Sequence, residues 1–399
     1  MRRILFVDDE PRILAGLQRM LHGQRHEWDM VFVPGGEEAL AELRSAPFDV
    51  IVSDMRMPGM DGATLLGRVR EQFPNIVRIV LSGHTELEAA LRTVPVAHQF
   101  LAKPCEADVL REVVERALNL HRLLKSEVLH RTIGHMGTLP SLPLAYAALT
   151  KALVDPDVAL QTIAGIVEHD VAMCAKVLQL VNSGFFGLPR RVASVQTAVS
   201  YLGINMLKNL MLSVEVFHAF ESRGDLAGFS LEVLQSHALL TGNIASRLLA
   251  EKRLAEDAFM AGILHDVGKL VLATRLREHF ARVLAATREN GRPLHVVERE
   301  LGSSTHAEIG AYLLGLWGLP YPIVEAVAYH HGPAPEGQSG FDIAAAVRIA
   351  DQLAHECTAP HDGEPEETID AEYLGALGVI DELPAWRTMA AEQAGVGCR

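Results

Sequence analysis

Short apolar runs alternate with helical patterns along the first hundred residues. The runs, each of strand length, lie at 4–7, 30–33, 50–52, 76–81 and 99–101. The segment 11–21 that follows the first run places its apolar residues at the spacing of one helix face. Short apolar strands separated by helices are typical of a parallel sheet that helices cover on both faces. The pattern predicts a doubly wound α/β domain with five parallel strands.

The pattern changes from Leu144 onward, where no segment alternates as a strand would. Apolar residues between Ile163 and Leu180 recur every three or four positions, as on one face of a helix. Helix-ending residues fall at Asp155-Pro156, at 182–184 and at Gly203. We therefore expect an all-helical second domain.

A long amphipathic helix is predicted between these two parts, over residues 106 to about 130. Its apolar stripe is wider than one face of a sheet needs, so its distal part is expected to pair with a second copy or to dock on the next domain. The prolines of the segment 138–143 cannot continue a helix and mark the boundary. The predicted organisation is a first domain at 1–122, a helical linker at 123–140 and a second domain with a helical tail at 141–399.

Composition narrows the setting in which the chain works. With 399 residues it is long enough for two cores, and its net charge of -14 argues against nucleic-acid binding through phosphate neutralisation. The four cysteines are far apart, which favours a reducing compartment over a disulfide framework. The N-terminus has neither the pattern of a signal peptide nor an apolar run long enough for a membrane span. The expectation is a cytoplasmic protein without a membrane or nucleic-acid partner.

Polar residues stand where the predicted strands end. They are Asp8, Asp9, Asp54, Ser82 and Lys103. In doubly wound sheets the working residues lie beyond the carboxyl ends of the strands, so these side chains are expected to converge. Carboxylates in one place repel unless a hard cation shares them, and Mg²⁺ accepts carboxylates, waters and a phosphate. This set suits aspartyl-phosphate chemistry, with Asp54 as nucleophile, Asp8 and Asp9 as metal ligands, and Lys103 and the Ser82 hydroxyl on phosphoryl oxygens.

Four short motifs in this region, VDDE, SDMRMPGMDG, LSG and AKP, occur in an order that resembles the receiver domain of two-component response regulators. The resemblance covers residues 1 to about 120 and implies the flavodoxin-like fold. It implies that a sensor histidine kinase phosphorylates Asp54 and that the backbone carbonyl of Arg56 completes the Mg²⁺ shell. It also implies that Phe100 changes rotamer together with Ser82. The alternative is a receiver that has lost phosphorylation and serves only as a docking surface.

A second group of chemical residues follows in the helical half. The pair His265-Asp266 lies in GILHDVGKL, and other residues of the same chemistry are His237, His306, His330, His331 and Asp351. Imidazole and carboxylate are ligands of borderline and hard divalent metals, and an aspartate can bridge two ions. The order predicts a site for one or two metals. The alternative is a buried pair that hydrogen-bonds and fixes helix packing without metal.

Segments at 180–203, 262–270, 305–320 and 328–332 together resemble the HDOD family, the output domain related to the metal-dependent HD phosphohydrolases. The resemblance spans roughly residues 130 to 360. It implies that Asp266 bridges two ions such as Fe or Mn, one held by His237, His265 and Asp351, the other by His306 and His330. His331 would replace or join His330. Lys269, one turn after His265, would stabilise a phosphoryl oxyanion.

Two outputs remain open at this point. The segment 333–340, PAPEGQSG, stands where cyclic-di-GMP phosphodiesterases of the related HD-GYP type have their recognition loop, so cyclic-di-GMP is not the expected substrate. The favoured function is a non-catalytic signalling module that binds another regulatory protein, with a homodimer as one arrangement. The alternative is a phosphorylation-gated metal phosphohydrolase acting on a nucleotide or cyclic dinucleotide. A DNA-binding output is disfavoured, because the chain is acidic and lacks a basic recognition helix.

Several other conspicuous residues have structural interpretations. Core positions are expected for Phe185, Phe186 and Trp317, and surface positions for His84, His279, His295, Arg190 and Arg191.

Overall fold

The computed structural model describes most of the chain. The described residues are 2–82, 96–120, 127–134, 148–149, 152, 158–182, 191–212, 229–302, 304–332, 340–358 and 369–394. For Ser82 and Phe100 the backbone is described and the side chain is not. Predictions that lie outside the described residues concern His84, Asp155-Pro156, Phe185, Phe186, Arg190, the segment 138–143 and nearly all of 333–340.

A parallel sheet forms the N-terminal domain, as the sequence predicts. Its strands are β1 (Arg2–Val7), β2 (Trp28–Val33), β3 (Val50–Asp54), β4 (Val77–Ser82) and β5 (Gln99–Ala102). They are hydrogen-bonded in the order β2-β1-β3-β4-β5, and every pair is parallel. All of β3 is buried, as expected for a central strand in a sheet covered on both faces.

The register brings the carboxyl ends of the strands to one edge. Asp54 pairs with Leu81, and Ser82 pairs with Ala102. The helices of this domain are α1 (Pro11–Met20), α2 (Gly36–Ser45), α3 (Gly62–Gln72) and α4 (Ala107–Leu120), with a 3₁₀ turn at His22–His26. Helix α3 begins directly against the end of β3. A methyl group on Gly62, its first residue, would collide with the carbonyl oxygen of Asp54, so this close approach requires glycine.

The described part of the chain beyond residue 126 contains helices and no strand, which confirms the helical second half. The helices are α5 (Glu127–Gly134), α6 (Leu160–Glu168), α7 (Val171–Val181), α8 (Val195–Leu212), α9 (Leu231–Leu248), α10 (Lys252–Leu264), α11 (Val267–Arg275), α12 (Arg277–Asn290), α13 (Leu294–Leu301), α14 (His306–Leu316), α15 (Tyr321–Tyr329), α16 (Ile343–Cys357), α17 (Ala371–Leu377) and α18 (Leu383–Gln393), with a 3₁₀ turn at Ile380–Glu382. Helix α8 is interrupted at Gly203, whose φ is 70°. Among the described residues, no helix combines the length and apolar character that a membrane crossing needs.

Two close helix crossings shape the centre of the helical domain. A methyl group on Gly262 of α10 would lie 2.6 Å from the Cα of Gly242 in α9, so these helices touch through their backbones. In the same way, a methyl group on Gly268 of α11 would collide with the carbonyl of His306, the first residue of α14. Glycine at these positions allows the helix ends that contain the histidines to approach one another.

The two domains contact each other through the first residue of β5, helix α4 and helix α14. Helix α4 packs on α14, and the amide nitrogen of Gln99 donates to the carbonyl of Gly315 at 3.3 Å. The ring of His130 in α5 lies 5.1 Å from that of Tyr312 in α14. The linker region therefore docks on the second domain, one of the two arrangements expected from its apolar stripe. Continuity of the helix through 121–126 lies outside the described residues.

Arg191 and Trp317 lie close to this contact. The guanidinium of Arg191 donates to the carbonyl of Gly318 and is partly buried, so the prediction of a solvated surface residue is wrong. The reason is tertiary: the loop end at Arg191 meets the end of α14, which local sequence does not indicate. Trp317 is 3% exposed, which confirms its core position.

Candidate phosphoacceptor and metal sites

The acidic edge of the sheet is organised around one ammonium group. Lys103, just beyond β5, places its Nζ 2.7 Å from Oδ2 of Asp8 and in direct contact with Oδ1 of Asp54. The other oxygen of Asp54 accepts a hydrogen bond from the backbone N–H of Arg56 at 2.8 Å. The prediction that residues at the ends of β1, β3 and β5 converge is confirmed for these three side chains.

Burial and ion pairing oppose each other at this edge. Burial raises the pKa of Asp54, the neighbouring Asp8 adds to the rise, and Lys103 counteracts it. Burial also disfavours the ammonium of Lys103, but hydrogen bonds to Asp54 and Asp8 outweigh it and raise the pKa of Lys103. A positive charge is thus held beside Asp54, where it can neutralise a negatively charged group that approaches this carboxylate.

The donor set at this edge fits a hard cation. Asp8 and Asp54 are buried carboxylates, Asp9 is partly exposed beside them, and the Arg56 carbonyl follows two residues after Asp54. Carboxylate and carbonyl oxygens are the ligands that Mg²⁺ prefers. Ser82 lies on the neighbouring strand end, where the register places its backbone beside Ala102.

In the helical domain, one cluster of side chains surrounds Asp351. Oδ1 of this buried carboxylate lies 2.9 Å from Nε2 of His237 and 3.4 Å from Nε2 of His265. These three residues come from α16, α9 and the end of α10, and their ligand atoms all lie within 4.8 Å of one another. We call them the Asp351 cluster.

A second cluster surrounds Asp266, the residue between α10 and α11. Oδ1 of Asp266 lies 3.2 Å from Nε2 of His306 and 3.9 Å from Nε2 of His330. Nε2 of His331 lies 3.2 Å from that of His306, and these four residues form the Asp266 cluster. His265 connects the two clusters, since its Nε2 is also 3.4 Å from Oδ2 of Asp266. Both His330 and His331 belong to this cluster.

Hydrogen bonds on the far side of three imidazoles aim their Nε2 atoms into the clusters. Nδ1 of His265 donates to the carbonyl of Gly262 at 2.6 Å, and Nδ1 of His330 donates to the carbonyl of Val327 at 2.7 Å. Nδ1 of His306 lies 2.7 Å from Oε2 of Glu298. When such an imidazole is neutral, a fixed Nδ1–H leaves Nε2 as the lone-pair donor, which is how proteins orient histidines that bind metals.

The clusters also contain buried polar atoms that lack a hydrogen bond. Within the described part of the chain, no hydrogen-bond partner reaches Nε2 of His265, Nε2 of His330, Oδ1 of Asp266 or Oδ2 of Asp351. Buried polar atoms are nearly always satisfied, and a cation among these four would satisfy them together. Imidazole and carboxylate donors in this number fit a borderline divalent metal such as Fe or Mn.

Electrostatics within the clusters are strongly coupled. Burial disfavours the charged imidazole of His265, but Asp266 and Asp351 outweigh it and raise its pKa to about 10. Burial likewise opposes the charge on His306, yet Glu298 and Asp266 raise its pKa to about 9. Burial, together with these two positive neighbours, lowers the pKa of His330 to about 3. The protons on His265 and His306 therefore occupy the positions that a metal would take.

Two residues of this site, Glu298 and His355, are not singled out by the sequence pattern. Glu298 of α13 supports His306, and His355 lies with its Nε2 3.5 Å from Oδ1 of Asp351. The spacing of four residues between Asp351 and His355 on one helix face is a signal that could have found His355. The prediction of a surface position is wrong for His295, whose ring stacks on that of His331 at 4.3 Å, because helix packing brings α13 against the end of α15. His279 is partly buried.

Lys269 lies beside the Asp266 cluster, one turn after His265. Its Nζ is 2.8 Å from Oδ2 of Asp266, and its side chain is 12% exposed. The lysine thus neutralises the carboxylate that lies between the clusters.

Comparison with family models divides the chain in two. Residues 4–115 match the response regulator receiver domain, and residues 139–333 match the HDOD domain.

Individual relatives match parts of the chain. An uncharacterised protein of Treponema pallidum is 30% identical over 246 residues, 58% of this chain and 47% of that protein. The hydrogenase transcriptional regulatory protein HoxA of Cupriavidus necator is 39% identical over 129 residues, 30% of this chain and 26% of that protein. The chain therefore spans less than half the length of these curated relatives. The crystal structure of a virulence factor from Campylobacter jejuni, 18% identical, covers 67% of this chain and 97% of its own with a TM-score of 0.50, which is a likeness of fold alone.

Proposed function

The chain is a response regulator that joins a receiver domain to an HDOD domain, and on this premise we propose that phosphorylation of Asp54 by a sensor histidine kinase switches the HDOD domain. The HDOD domain then acts as a signalling module that binds another regulatory protein. We place the receiver at 1–122, the linker at 123–140 and the output with its helical tail at 141–399.

The contact of Lys103 with both Asp8 and Asp54 is the observation that carries the phosphorylation proposal. In the transfer step, an oxygen of Asp54 attacks the phosphorus of the phosphohistidine, the N–P bond breaks and the imidazole leaves. Asp8, Asp9, Asp54 and the Arg56 carbonyl would hold Mg²⁺, which offsets the charge of the phosphoryl group. Lys103 and the Ser82 hydroxyl would then bind phosphoryl oxygens. Asp54 is only 7% exposed, so water has limited access to its carboxylate before the transfer.

The contact between the domains supports the coupling of this event to the output. Gln99 is the first residue of β5, at the opposite end of this four-residue strand from Lys103, and its side-chain amide donates to the carbonyl of Gly315. Gly315 belongs to α14, whose first residue is His306 of the Asp266 cluster. A rearrangement that is transmitted along β5 from Lys103 to Gln99 would therefore act on a helix that reaches into the centre of the output domain.

A phosphodonor assay tests the receiver proposal. Purified protein is incubated with acetyl phosphate and Mg²⁺, and incorporation is followed by intact mass and phosphate-affinity electrophoresis. Wild type should gain one phosphoryl group, and Asp54→Asn should gain none. The control is Asp108→Asn, which changes a carboxylate that is 84% exposed in the same domain. Incorporation that persists in Asp54→Asn would contradict the assignment.

Hydrogen exchange tests the output. In wild type treated with acetyl phosphate, amide exchange in α14 and in the end of α4 should change, and Asp54→Asn should show no change. Unaltered exchange across α14 in fully phosphorylated protein would contradict a switch that acts through this contact.

A second function is favoured by the two ligand clusters, which retain every ligand position that the HD resemblance implies. On this candidate the HDOD domain is a metal-dependent phosphohydrolase for a nucleotide or cyclic dinucleotide. His237, His265 and Asp351 would hold one ion, and His306, His330 and His331 the other, with Asp266 between them. The ions would supply a water of lowered pKa as nucleophile, and Lys269 would stabilise charge on a phosphoryl oxygen.

Metal content and turnover decide between the two outputs. Protein purified anaerobically is assayed for Fe and Mn, then for hydrolysis of bis(p-nitrophenyl) phosphate and cyclic dinucleotides, with and without acetyl phosphate. Turnover that is lost in His265→Ala favours the hydrolase. Bound metal without turnover, or no metal at all, favours the non-catalytic module.

A further inference from the structure

Three imidazoles, rather than two, surround Oδ1 of Asp351. The Nε2 atoms of His237 and His265 lie 2.9 and 3.4 Å from this oxygen, and Nε2 of His355 lies 3.5 Å from it. The ring of His355 is 4.5 Å from that of His237, so these two side chains also contact each other. We propose that His355 is a third imidazole ligand of a metal ion at the Asp351 cluster.

The distances from Asp351 to the three imidazoles have the size expected within one coordination shell. Metal bonds of about 2.1 Å at tetrahedral angles separate neighbouring ligand atoms by about 3.4 Å. The three distances from Oδ1 of Asp351 to imidazole nitrogens, 2.9 to 3.5 Å, are close to such edges. The ligand atoms of His237, His265 and Asp351 lie within 4.8 Å of one another, and His355 lies outside that group. With His355 turned toward them, an ion would have three nitrogen donors and one oxygen donor, a set typical of borderline divalent metals.

Helix α16 fixes this arrangement locally. Asp351 and His355 are four residues apart, so both side chains project from the same face of the helix. Asp351 is 1% exposed, whereas the side chain of His355 is 25% exposed. His355 therefore lies at the outer end of the cluster, where it covers the ion position from solvent.

Two buried polar atoms without a hydrogen bond support a bound cation at the Asp351 cluster. Oδ2 of Asp351 and Nε2 of His265 are fully buried and have no hydrogen-bond partner among the described residues. With His355, each cluster offers three imidazoles and one carboxylate, since the Asp266 cluster already contains His306, His330 and His331. The two positions become equivalent in donor type, which favours the same metal at both.

This inference rests on metal binding by the HDOD domain, and a Co²⁺ titration tests both. Binding to the full-length protein is followed by calorimetry and by the visible absorption of Co²⁺, which reports its ligands and geometry. Wild type should bind two ions. His355→Gln should lower the affinity of one of them by about tenfold or more and change its visible spectrum, because one nitrogen ligand is lost. Glutamine retains an N–H donor for Asp351, so a purely structural histidine would be replaced without effect on the metal.

Two controls make the outcome interpretable. His169→Ala removes an exposed histidine that caps α6 in the same domain and should leave both affinities unchanged. Phosphorylation by acetyl phosphate and the thermal unfolding curve show that each variant is folded. If His355→Gln binds Co²⁺ with wild-type affinity and spectrum at both sites, the role of His355 is contradicted while metal binding stands. If wild type binds no Co²⁺, both metal binding by the HDOD domain and the role of His355 are contradicted.

Discussion

Lys269 places its ammonium 2.8 Å from Oδ2 of Asp266, the carboxylate that lies between the two ligand clusters. The same oxygen is 3.4 Å from Nε2 of His265, and the other oxygen is 3.2 Å from Nε2 of His306. A fixed positive charge is thus present at the position where a bridging carboxylate would meet two ions. The ammonium of Lys269 offsets the negative charge of Asp266 when no metal is bound, and it repels a divalent cation that enters the cluster.

Replacement of this lysine should tighten metal binding. In Lys269→Met a unit positive charge is removed a few ångströms from the clusters, where charge interactions at an effective dielectric of about 20 are worth several kcal/mol. We expect the affinity for Co²⁺ to rise by about tenfold or more, measured by calorimetry. Lys269→Arg keeps the charge and should retain the wild-type affinity. A weaker affinity in the methionine variant would show that Lys269 organises the cluster instead of repelling the ion.

Metal binding should strengthen as the pH rises. The pKa of His265, raised to about 10, and that of His306, raised to about 9, keep both imidazoles protonated at neutral pH in the metal-free protein. A metal ligand must lose that proton, so each bound ion should release protons and affinity should increase up to about pH 9 to 10. Calorimetry in buffers of different ionisation enthalpy counts the protons. Proton release near zero at neutral pH would contradict protonated ligands.

His265 and His306 also make the stability of the metal-free fold depend on pH, and this stability should fall as the pH rises, whereas the metal affinity should increase. Because their pKa values lie above the unfolded value of 6.5, the protonated imidazoles stabilise the metal-free fold. This contribution is fully present below that value and is lost as the pH rises through 9 and then 10. Metal-free protein should therefore unfold more easily at pH 9 than at neutral pH, whereas metal-loaded protein should lose less stability.

Arg78 should be important for stability. It is 1% exposed, and its guanidinium donates to the carbonyls of Val96 and Gly134 at 2.6 and 2.7 Å. Burial lowers its pKa to about 9, still high enough for a charged group at neutral pH. Arg78→Met leaves these buried carbonyls without donors, so we expect a loss of about 3 kcal/mol in the free energy of unfolding. Urea unfolding measures it, and Arg68→Met, which changes an exposed side chain paired with Glu37, is the control. A loss equal to that of the control would contradict the role of Arg78.

The sequence is sufficient for the sheet because each strand contains a short apolar run, as at 50–52 in β3, where Ser53 and Asp54 follow the run. It is also sufficient for His265 and Asp266, since they are neighbours in a short motif between two helices. Glu298 could not be predicted, because its partner His306 is brought to it by the turn between α13 and α14 rather than by helical periodicity. The position of Arg191 depends on the end of a helix more than a hundred residues away, and no local pattern reports such contacts.

The contact of Gln99 with Gly315 predicts a coupling between phosphorylation and metal binding. Gly315 lies near the end of α14 and His306 at its beginning, so a shift of the helix at one end displaces His306, a proposed metal ligand, at the other. Binding equilibria that are coupled in this way are reciprocal, with typical coupling of about fivefold or more. We expect the Co²⁺ affinity of the Asp266 cluster to differ between untreated protein and protein held in the phosphorylated state by excess acetyl phosphate. Gln99→Ala should still accept phosphate at Asp54 but should bring the two affinities closer together. Equal Co²⁺ affinities in the two states of wild type would exclude this route, and the receiver would then have to act on the output through a different surface.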